Sequence, residues 1–385
     1  MTRERELEVH NFGPIAHALV PLRDLIILVG PQATGKSLLL QLLKLAEDHN
    51  RVASLLAEHG FDWRRPADFA SLYFGAGLEN AWSTNARVRL GRRKLTLQKI
   101  AASRARDDDD DVFYIPAHRT ITIADGWPRP FQQYDLEIPF VARLFSESLR
   151  RMLSRRGRSH GQLFPIDRRL KVPLRRAIDD AVFHGGELRL EVTGMRKRLK
   201  LQYEDVSIPF MGWTSGQREF VPLLLGLYHL LTAGGATKRP ETTWVIIEEP
   251  EMGLHPKAII AVMGTVLELL HRGYKVALST HSQTVLDVIW GLNHLRQFDD
   301  GPRSMCKIFG LEPSSQMLAL MESALGSTNS ITYMTHGDKG VESKDITNLD
   351  PSAESEAEAN WGGLTEFGGR VADVVADSVA RSGRS

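Results

Sequence analysis

The stretch that decides the fold is LIILVGPQATGKSLLL, Leu25 to Leu40. Its first five residues are aliphatic and typical of a buried strand, and its last residues begin a leucine-rich helix that is expected to end near Glu47. Between them, Gly30 to Ser37 matches G-x-x-x-x-G-K-[ST], a phosphate-binding loop that joins a strand to a helix. The N–H groups of such a loop surround a phosphate. The stretch therefore predicts an α/β protein that binds a phosphorylated ligand.

The residue types within this loop indicate a nucleoside triphosphate with Mg²⁺. Lys36 is expected to bridge the β- and γ-phosphates, and the hydroxyl of Ser37 is expected to complete the Mg²⁺ shell. The residues predicted to contact the nucleotide here are Gly30, Gln32, Ala33, Thr34, Gly35, Lys36 and Ser37.

Two later strands bring further chemistry to the same edge of the predicted sheet. In TTWVIIEEPEMGLHP an apolar strand ends in Glu248 and Glu249, and in VALSTHSQ the next strand ends near His281. Alternation along the strand is expected to turn Glu248 toward Mg²⁺, through water, and Glu249 toward the attacking water. His281 is expected to contact the γ-phosphate. Alone, the carboxylates would merely end a strand and the histidine would be structural, but the phosphate loop favours the catalytic interpretation.

The stretch GWTSGQREFVPLLLGL, Gly212 to Leu227, predicts a second anion site. Ser215 and Gly216 begin an apolar helix and offer free N–H groups, a hydroxyl and the positive end of a helix dipole. Gln217 or Arg218 is predicted to contact ribose or phosphate oxygens. The alternative is an ordinary helix start, in which Thr214 and Gln217 form a capping box.

Composition limits the class of protein. The chain has 385 residues, 42% of them hydrophobic, and a net charge of +1, so bulk charge favours no nucleic-acid partner. The single cysteine, Cys306, excludes an intramolecular disulfide and a cysteine-based zinc cage. Because the N-terminus lacks a signal-peptide pattern and the longest apolar runs have strand length, we expect a cytoplasmic protein without a membrane partner.

The rest of the chain divides by charge and pattern. Residues 143–200 contain 16 basic and 6 acidic side chains, interpreted as a solvated helical face with a nucleic-acid site as the alternative. An antiparallel hairpin is predicted to turn at Thr193 and Gly194. The aspartates at 107–111 are interpreted as a solvated loop that precedes a buried strand, Val112 to Ile115. We expect an α/β head at 1–120 and 183–335, an inserted basic helical lobe at 121–182, and an acidic tail with a short helix at 336–385.

Five segments, taken in order, resemble the ABC-type P-loop ATPase superfamily: NFGPI, GPQATGKS, TSGQREFVPLLLGL, EEPEMGLHP and STHS. The chain is most similar to the SMC, RecF and OLD-like branch, and within it to OLD-like ATPase subunits of the anti-phage systems Septu and PARIS. The resemblance implies an ABC-ATPase head with a mixed sheet core, an antiparallel β lobe and an inserted helical lobe. Two features depart from it. Glu248 replaces the aspartate of transporters and SMC heads, and His118 or Arg119, in the segment YIPAHR, stands where a glutamine is usual.

The resemblance also implies a function. In this family the turn equivalent to Ser215 to Gln217 acts in trans, on the γ-phosphate held by a second subunit. This implies ATP hydrolysis in a head-to-tail homodimer or higher homo-oligomer, with Glu251 and residues 254–256 in the loop at the interface. The implied output is a conformational switch that controls a separate effector, a nuclease or toxin, in anti-phage defence.

Three alternatives stay open at the sequence level. A DNA-repair or chromosome ATPase would clamp DNA on residues 143–200, although no coiled-coil arm is predicted. A scaffold would bind nucleotide with negligible turnover. A transporter subunit is disfavoured because the transporter-type signature is missing.

Overall fold

The phosphate-loop strand lies in the middle of a mixed sheet. The structure is a computed structural model that describes residues 5–103, 111–155, 161–194, 196–232 and 237–382. The aspartates Asp107 to Asp110 therefore lie outside the described residues. The strands, in chain order, are β1 Glu6–Phe12, β2 Ile15–Pro21, β3 Leu25–Val29, β4 Trp82–Leu90, β5 Arg93–Leu95, β6 Val112–Ile115, β7 Ile123–Ala124, β8 Trp127–Pro128, β9 Gly161–Phe164, β10 Glu187–Thr193, β11 Arg196–Tyr203, β12 Val206–Pro209, β13 Trp244–Glu248, β14 Lys275–Thr280, β15 Asn329–Gly337 and β16 Gly340–Asp345.

The main sheet has the order β5-β4-β1-β2-β16-β15-β3-β14-β13-β6. From β15 to β6 neighbouring strands are parallel, whereas β1, β2, β4 and β5 pair antiparallel. Every residue of β3 and β13 is buried, as expected for parallel strands covered on both faces. The prediction of an α/β P-loop fold with a mixed sheet core is confirmed.

Helices cover both faces of this sheet. They are α1 Lys36–Glu58, α2 Pro66–Phe74, α3 Leu97–Ala101, α4 Phe140–Arg155, α5 Val172–Ile178, α6 Ser215–Leu230, α7 Pro256–His271, α8 Gln283–Leu295, α9 Gly301–Ile308, α10 Ser315–Gly326, α11 Glu356–Ala359 and α12 Glu366–Ser382. Alternation in β3 divides the core, because Ile26 and Leu28 pack with α1 and α2, whereas the other residues of β3 pack with α6, α7 and α8.

Helix α1 is longer than the sequence predicts. We expected its end near Glu47, but it continues to Glu58 through a non-helical Asp48. Asp48 accepts a hydrogen bond from buried Lys44 at 2.7 Å and another from the N–H of Val112 at 3.0 Å. This buried ion pair joins α1 to the start of β6, and the apolar residues beyond it extend the helix along the core.

The antiparallel lobe is a second sheet with the order β12-β11-β10-β9. The hairpin of β10 and β11 pairs Thr193 with Arg196, so the predicted turn is confirmed. Strand β9 belongs to the segment predicted as helical, residues 121–182, which also supplies α4 and α5. The segment thus contributes one edge of the lobe as well as helices.

The C-terminal region departs most from the sequence prediction. Strands β15 and β16 were not predicted. Strand β16 lies within the main sheet and ends at Asp345, although the acidic tail was expected to begin at residue 336. Trp361 is buried in the core, and its indole N–H donates to the carbonyl of Leu349 at 3.1 Å. The predicted final amphipathic helix is present as α12.

Candidate nucleotide-binding site

The loop between β3 and α1 has the backbone of an anion-binding cradle. Gly30, Ala33 and Gly35 have positive φ angles of 147°, 61° and 81°. Left-handed residues between right-handed ones turn successive N–H groups toward one side of the chain. Gly35 is also the N-cap of α1 without a side-chain cap, so the first N–H groups of the helix remain available to a ligand.

The glycines of the loop are also required by packing. A Cβ on Gly30 would lie 2.2 Å from the carbonyl oxygen of Met334 in β15, and one on Gly35 would lie 3.1 Å from Ile15. Ile15 belongs to the NFGPI segment, at the start of β2. This segment therefore supports the loop from behind, which gives a physical reason for its place in the motif set.

Lys36 is folded back onto the loop. Its Nζ donates to the carbonyl oxygens of Gly30 and Pro31 at 2.8 and 2.7 Å, and the side chain is buried. Burial lowers the pKa of Lys36, whereas the carboxylates of Glu249 and Glu251 act in the opposite direction. A phosphate in the loop would supply an anionic partner for this buried ammonium group.

Glu248 ends β13 in a buried position. Its carboxylate accepts hydrogen bonds from the hydroxyl of Tyr114 at 2.6 Å and from the N–H of Ala117 at 2.9 Å. Burial raises its pKa, and hydrogen bonds from Tyr114, Ala117 and Ser37 oppose that shift. Oxygen donors from Glu248 and the nearby Ser37 hydroxyl suit Mg²⁺, which prefers carboxylate, hydroxyl and water ligands. These two residues fit the predicted metal site.

Glu249 turns away from Glu248 because the strand ends between them. We expected strand alternation to separate the two carboxylates, but Glu249 has a left-handed backbone with φ 41°. Its N–H donates to the carbonyl of Ser279 at 3.0 Å. Its carboxylate lies 3.6 Å from Nε2 of His281, and both side chains are partly exposed. The left-handed turn therefore directs a carboxylate toward His281.

His281 and the phosphate loop are close in the sheet. Strand β14, which precedes His281, lies between β3 and β13, so the carboxylate strand is the second neighbour of β3. Burial and the charge of Lys36 lower the pKa of His281, and Glu249 opposes them. The imidazole is therefore predominantly neutral at pH 7.

Glu251 lies on the inner side of the turn after the carboxylates. It accepts hydrogen bonds from the hydroxyl of Thr280 at 2.8 Å and from the N–H of His281 at 2.5 Å. The resemblance implied a place for Glu251 at a subunit interface, but within the chain this carboxylate holds the end of β14 in position. In the same turn, the side chain of His255 caps α7 by accepting from the N–H of Lys257.

Arg119 joins the carboxylate edge to α6. Its guanidinium group is fully buried and donates to the carbonyl oxygens of Glu248 at 2.9 Å, Glu249 at 3.1 Å and Glu219 at 3.1 Å. These contacts occupy Arg119, so His118, which is exposed, is the more accessible of the two proposed substitutes for the glutamine. Sequence reasoning missed this structural role, although YIPAHR was noted as a motif.

The turn at the start of α6 is exposed and has its own pocket. Thr214 and Gln217 form the capping box, with both hydrogen bonds at 3.2 Å, so the alternative helix-start interpretation is realised. The hydroxyl of Ser215 remains on the surface. A Cβ on Gly216 would lie 2.7 Å from the carbonyl oxygen of Gly253, so glycine allows the turn to pack against that loop.

The structure brings the predicted residues of the phosphate loop, the carboxylates and His281 together, and it leaves the turn at the start of α6 apart from them. Lys36, Glu249 and His281 lie close enough to interact electrostatically, and Ser37 lies by Glu248. The turn of α6 instead lines a pocket of about 330 Å³ together with Val182, His184 and residues 253–255. The described residues that line this pocket include none from the phosphate loop.

This fold and site define a P-loop ATPase. Residues 48–287, more than half of the chain, match the family described as "AAA domain, putative AbiEii toxin, Type IV TA system". The chain belongs to this family. The match begins inside α1, so the phosphate loop lies just ahead of the matched residues.

Three SMC head structures align with most of this chain at low sequence identity. An SMC head bound to the C-winged helix domain of ScpA aligns with a TM-score of 0.42 and 11% identity over 88% of this chain and 97% of that one. The SMC head domain from Thermotoga maritima aligns with a TM-score of 0.37 and 12% identity over 89% of this chain and 99% of that one. A third structure is an Smc head with an extended coiled coil, bound to the C-terminal domain of ScpA derived from Pyrococcus furiosus. It aligns with a TM-score of 0.40 and 11% identity over 88% of this chain and 95% of that one. No curated protein matches the chain.

Among the described residues, no helix combines the length and apolar character needed to cross a bilayer.

Proposed function

We propose that this chain hydrolyses ATP at a site completed by two copies of itself. In one copy, Lys36 and the loop N–H groups hold the phosphates, and Ser37 and Glu248 hold Mg²⁺. The bound metal ion would neutralise charge on the phosphates. Glu249 orients and deprotonates the attacking water, and His281 contacts the γ-phosphate.

The second copy presents its exposed turn of α6 to the same nucleotide. The N–H groups at the start of α6 and the hydroxyl of Ser215 approach the γ-phosphate, and Gly216 keeps the backbone accessible. Gln217 already bonds within its own chain, donating to the carbonyl of Val182 and the hydroxyl of Tyr203 at 3.3 Å. We therefore assign Gln217 to shaping the turn as well as to nucleotide contact.

The observation that carries the proposal is the grouping of Glu249, His281 and Lys36 at one edge of the sheet. A carboxylate 3.6 Å from a neutral imidazole, next to a buried ammonium group, suits attack on a terminal phosphate. The exposed turn at Ser215, with its separate pocket, supports completion of the site by another copy.

The output of this reaction is a conformational switch. Because closure depends on the γ-phosphate, hydrolysis would release the two copies. We propose that the switch controls a separate nuclease or toxin in the cytoplasm, as part of anti-phage defence of the OLD-like type. The toxin and toxin–antitoxin system in the description of the matched family support a role of this kind.

Steady-state ATP hydrolysis with Mg²⁺ tests the proposal. We expect turnover in the wild type and its loss in Lys36→Ala, with the surface variant Lys94→Ala as control. Lys94 is exposed on β5, outside the loop. A wild type that binds ATP but shows no turnover, with or without the co-purified effector, would overturn hydrolysis and favour the scaffold alternative.

One observation favours a nucleic-acid partner as a second candidate. Arg196, Arg198 and Lys200 project from one face of β11 and line a groove of about 500 Å³. Many basic side chains of residues 143–200 are paired internally; for example, Arg150 and Arg151 both bind Glu147. Within the groove, Lys200 binds Glu191 at 2.6 Å, which leaves Arg196 and Arg198 as the candidate contacts. The candidate site is therefore this groove and not the whole segment.

Duplex binding at several salt concentrations tests the groove. A phosphate-contacting groove predicts that Arg196→Glu with Arg198→Glu weakens binding and reduces its salt dependence. If the two substitutions leave duplex binding unaffected, the groove is excluded as the binding site. Charge reversal at exposed Arg155 then tests the rest of residues 143–200, since Arg156 lies outside the described residues.

A further inference from the structure

Helix α12 presents an apolar face to solvent. Phe367, Val371, Val374 and Val375 are 71%, 46%, 65% and 56% exposed, and every residue of the helix whose burial is described is exposed. The other long helices of the described chain bury most of their apolar side chains against the sheet. A stripe of this kind on a soluble protein marks a contact surface.

The sequence of α12 gives it little stability alone. It contains Gly368 and Gly369 near its start and several β-branched valines, residue types that disfavour an isolated helix in water. Its base, however, is fixed, because buried Trp361 anchors the preceding segment and Leu364 packs against the core. The helix therefore projects from a defined position and gains stability from whatever covers its apolar face.

The charges of α12 identify the partner. At 100° per residue, Glu366, Arg370, Asp373, Asp377 and Arg381 all project on one side of the apolar face, and the alanines lie on the outer face. Within the chain, Arg370 also lies 3.8 Å from Glu366. In an antiparallel pair of identical helices, a two-fold axis brings like edges together. With that axis between residues 373 and 374, Arg370 faces Asp377 of the other copy, and Glu366 faces Arg381. A parallel pair would instead turn the charged edge of each helix toward the uncharged edge of the other.

The apolar side chains of α12 follow nearly the same two-fold symmetry as the charges. Val371 of one copy falls beside Val375 of the other. Apolar contacts and charges thus favour one orientation of a pair formed by two copies of this helix.

We propose that α12 is a homotypic docking helix, through which two copies of this chain pair antiparallel without nucleotide. The helix is only about 25 Å long, so the contact is small and reversible. Its effect is to hold two copies near each other, which raises their effective concentration for any further association. The proposal does not depend on the joint nucleotide site.

The test is the molar mass of the full-length chain over a range of concentrations, measured by sedimentation without nucleotide. The Lys36→Ala background removes association driven by ATP. We expect a monomer–dimer equilibrium that Val371→Asp with Val375→Asp weakens at least about tenfold. Ala380→Asp, on the opposite face of α12, introduces the same residue as a control and is expected to leave the equilibrium unchanged.

Charge reversal then tests the orientation. Arg370→Glu alone and Asp377→Arg alone are each expected to weaken the dimer, and the double variant is expected to restore it. The two positions lie seven residues apart in one helix, too far for direct contact in one chain, so restoration reports contact between copies. Circular dichroism confirms that each variant is folded.

The proposal is overturned if Lys36→Ala is monomeric at all concentrations, if the aspartate pair leaves the dimer intact, or if the double reversal restores nothing. A monomer whose α12 binds lipid vesicles or a co-expressed effector would also overturn it, by assigning the apolar face to a different partner.

Discussion

The phosphate-loop half and the α6 half of the proposed site differ in how the chain holds them. Lys36 and Glu248 are buried and bonded within the fold, whereas Ser215 is exposed at the edge of its own pocket. The first half needs a rigid frame because it must place charges around phosphates before the ligand arrives. The second half has an exposed surface that a partner can complete. In the proposed function, one chain supplies both parts of the site and pairing of two copies joins them.

The largest effect is expected in the buried half, at Glu249. Glu249→Gln removes the proposed base, so turnover should fall by about 10²–10⁴-fold. Nucleotide binding should persist, because Lys36 and the loop are unchanged. Steady-state kinetics and equilibrium binding of a fluorescent ATP analogue measure the two quantities. Turnover within a factor of about two of the wild type would remove Glu249 from the reaction.

The next effect is expected at Arg119, which connects the two halves within one chain. Arg119→Met leaves buried carbonyl oxygens without donors and separates the end of β13 from Glu219 of α6. We expect the free energy of unfolding to fall by about 3–5 kcal/mol.

Chemical denaturation measures this change, and exposed Arg65 provides the control. Arg65 pairs with Asp68 on the surface, where solvent screens the two charges, so Arg65→Met should change the free energy of unfolding far less than Arg119→Met. Equal losses in the two variants would show that Arg119 does not hold the site together.

A smaller effect is expected in the exposed half, at Ser215. Ser215→Arg places a bulky cation at the turn and should lower turnover by about 10–100-fold without weakening nucleotide binding to the phosphate loop. Ser315 offers a matched control, because both serines begin a helix after a capping Thr or Ser. If Ser215→Arg and Ser315→Arg give the same turnover, the turn of α6 takes no part in hydrolysis.

The smallest effect concerns pH and His281. Its pKa is lowered from 6.5, first by burial and then by Lys36, so the folded state favours the neutral ring. His281 therefore contributes stability that is present above pH 6.5 and is lost as the pH falls through its folded pKa. We expect the unfolding free energy of the wild type to decline more steeply below pH 6.5 than that of His281→Gln. If the two proteins give parallel curves of unfolding free energy against pH, the lowered pKa of His281 is contradicted.

The sequence predicts the parallel core and its loops well because these depend on local pattern. The strands Leu25–Val29 and Val112–Ile115 lie where the sequence placed them. Strands β15 and β16 escaped prediction because their residues alternate weakly and acquire strand structure from pairing with β3 and β2, which are distant in the chain.

In the site, too, some features follow from local sequence and others arise only from contacts between distant parts of the chain. A motif identifies Lys36, Glu249 and His281, because spacing and strand ends are visible in sequence. The left-handed turn at Glu249 and the contacts of Arg119 arise from tertiary packing, which no local pattern encodes. Tyr114, which donates to Glu248, likewise sits in a strand that was predicted without a role for its hydroxyl.

Complementation between two inactive variants tests the central claim most directly. Lys36→Ala and Ser215→Arg are mixed in equal amounts, and ATP hydrolysis is compared with that of each variant alone. If two copies share each nucleotide, a mixed dimer contains one intact site, and the mixture should recover up to about a quarter of wild-type turnover. A mixture as inactive as its components, in conditions where mixed dimers are detected, would contradict the account.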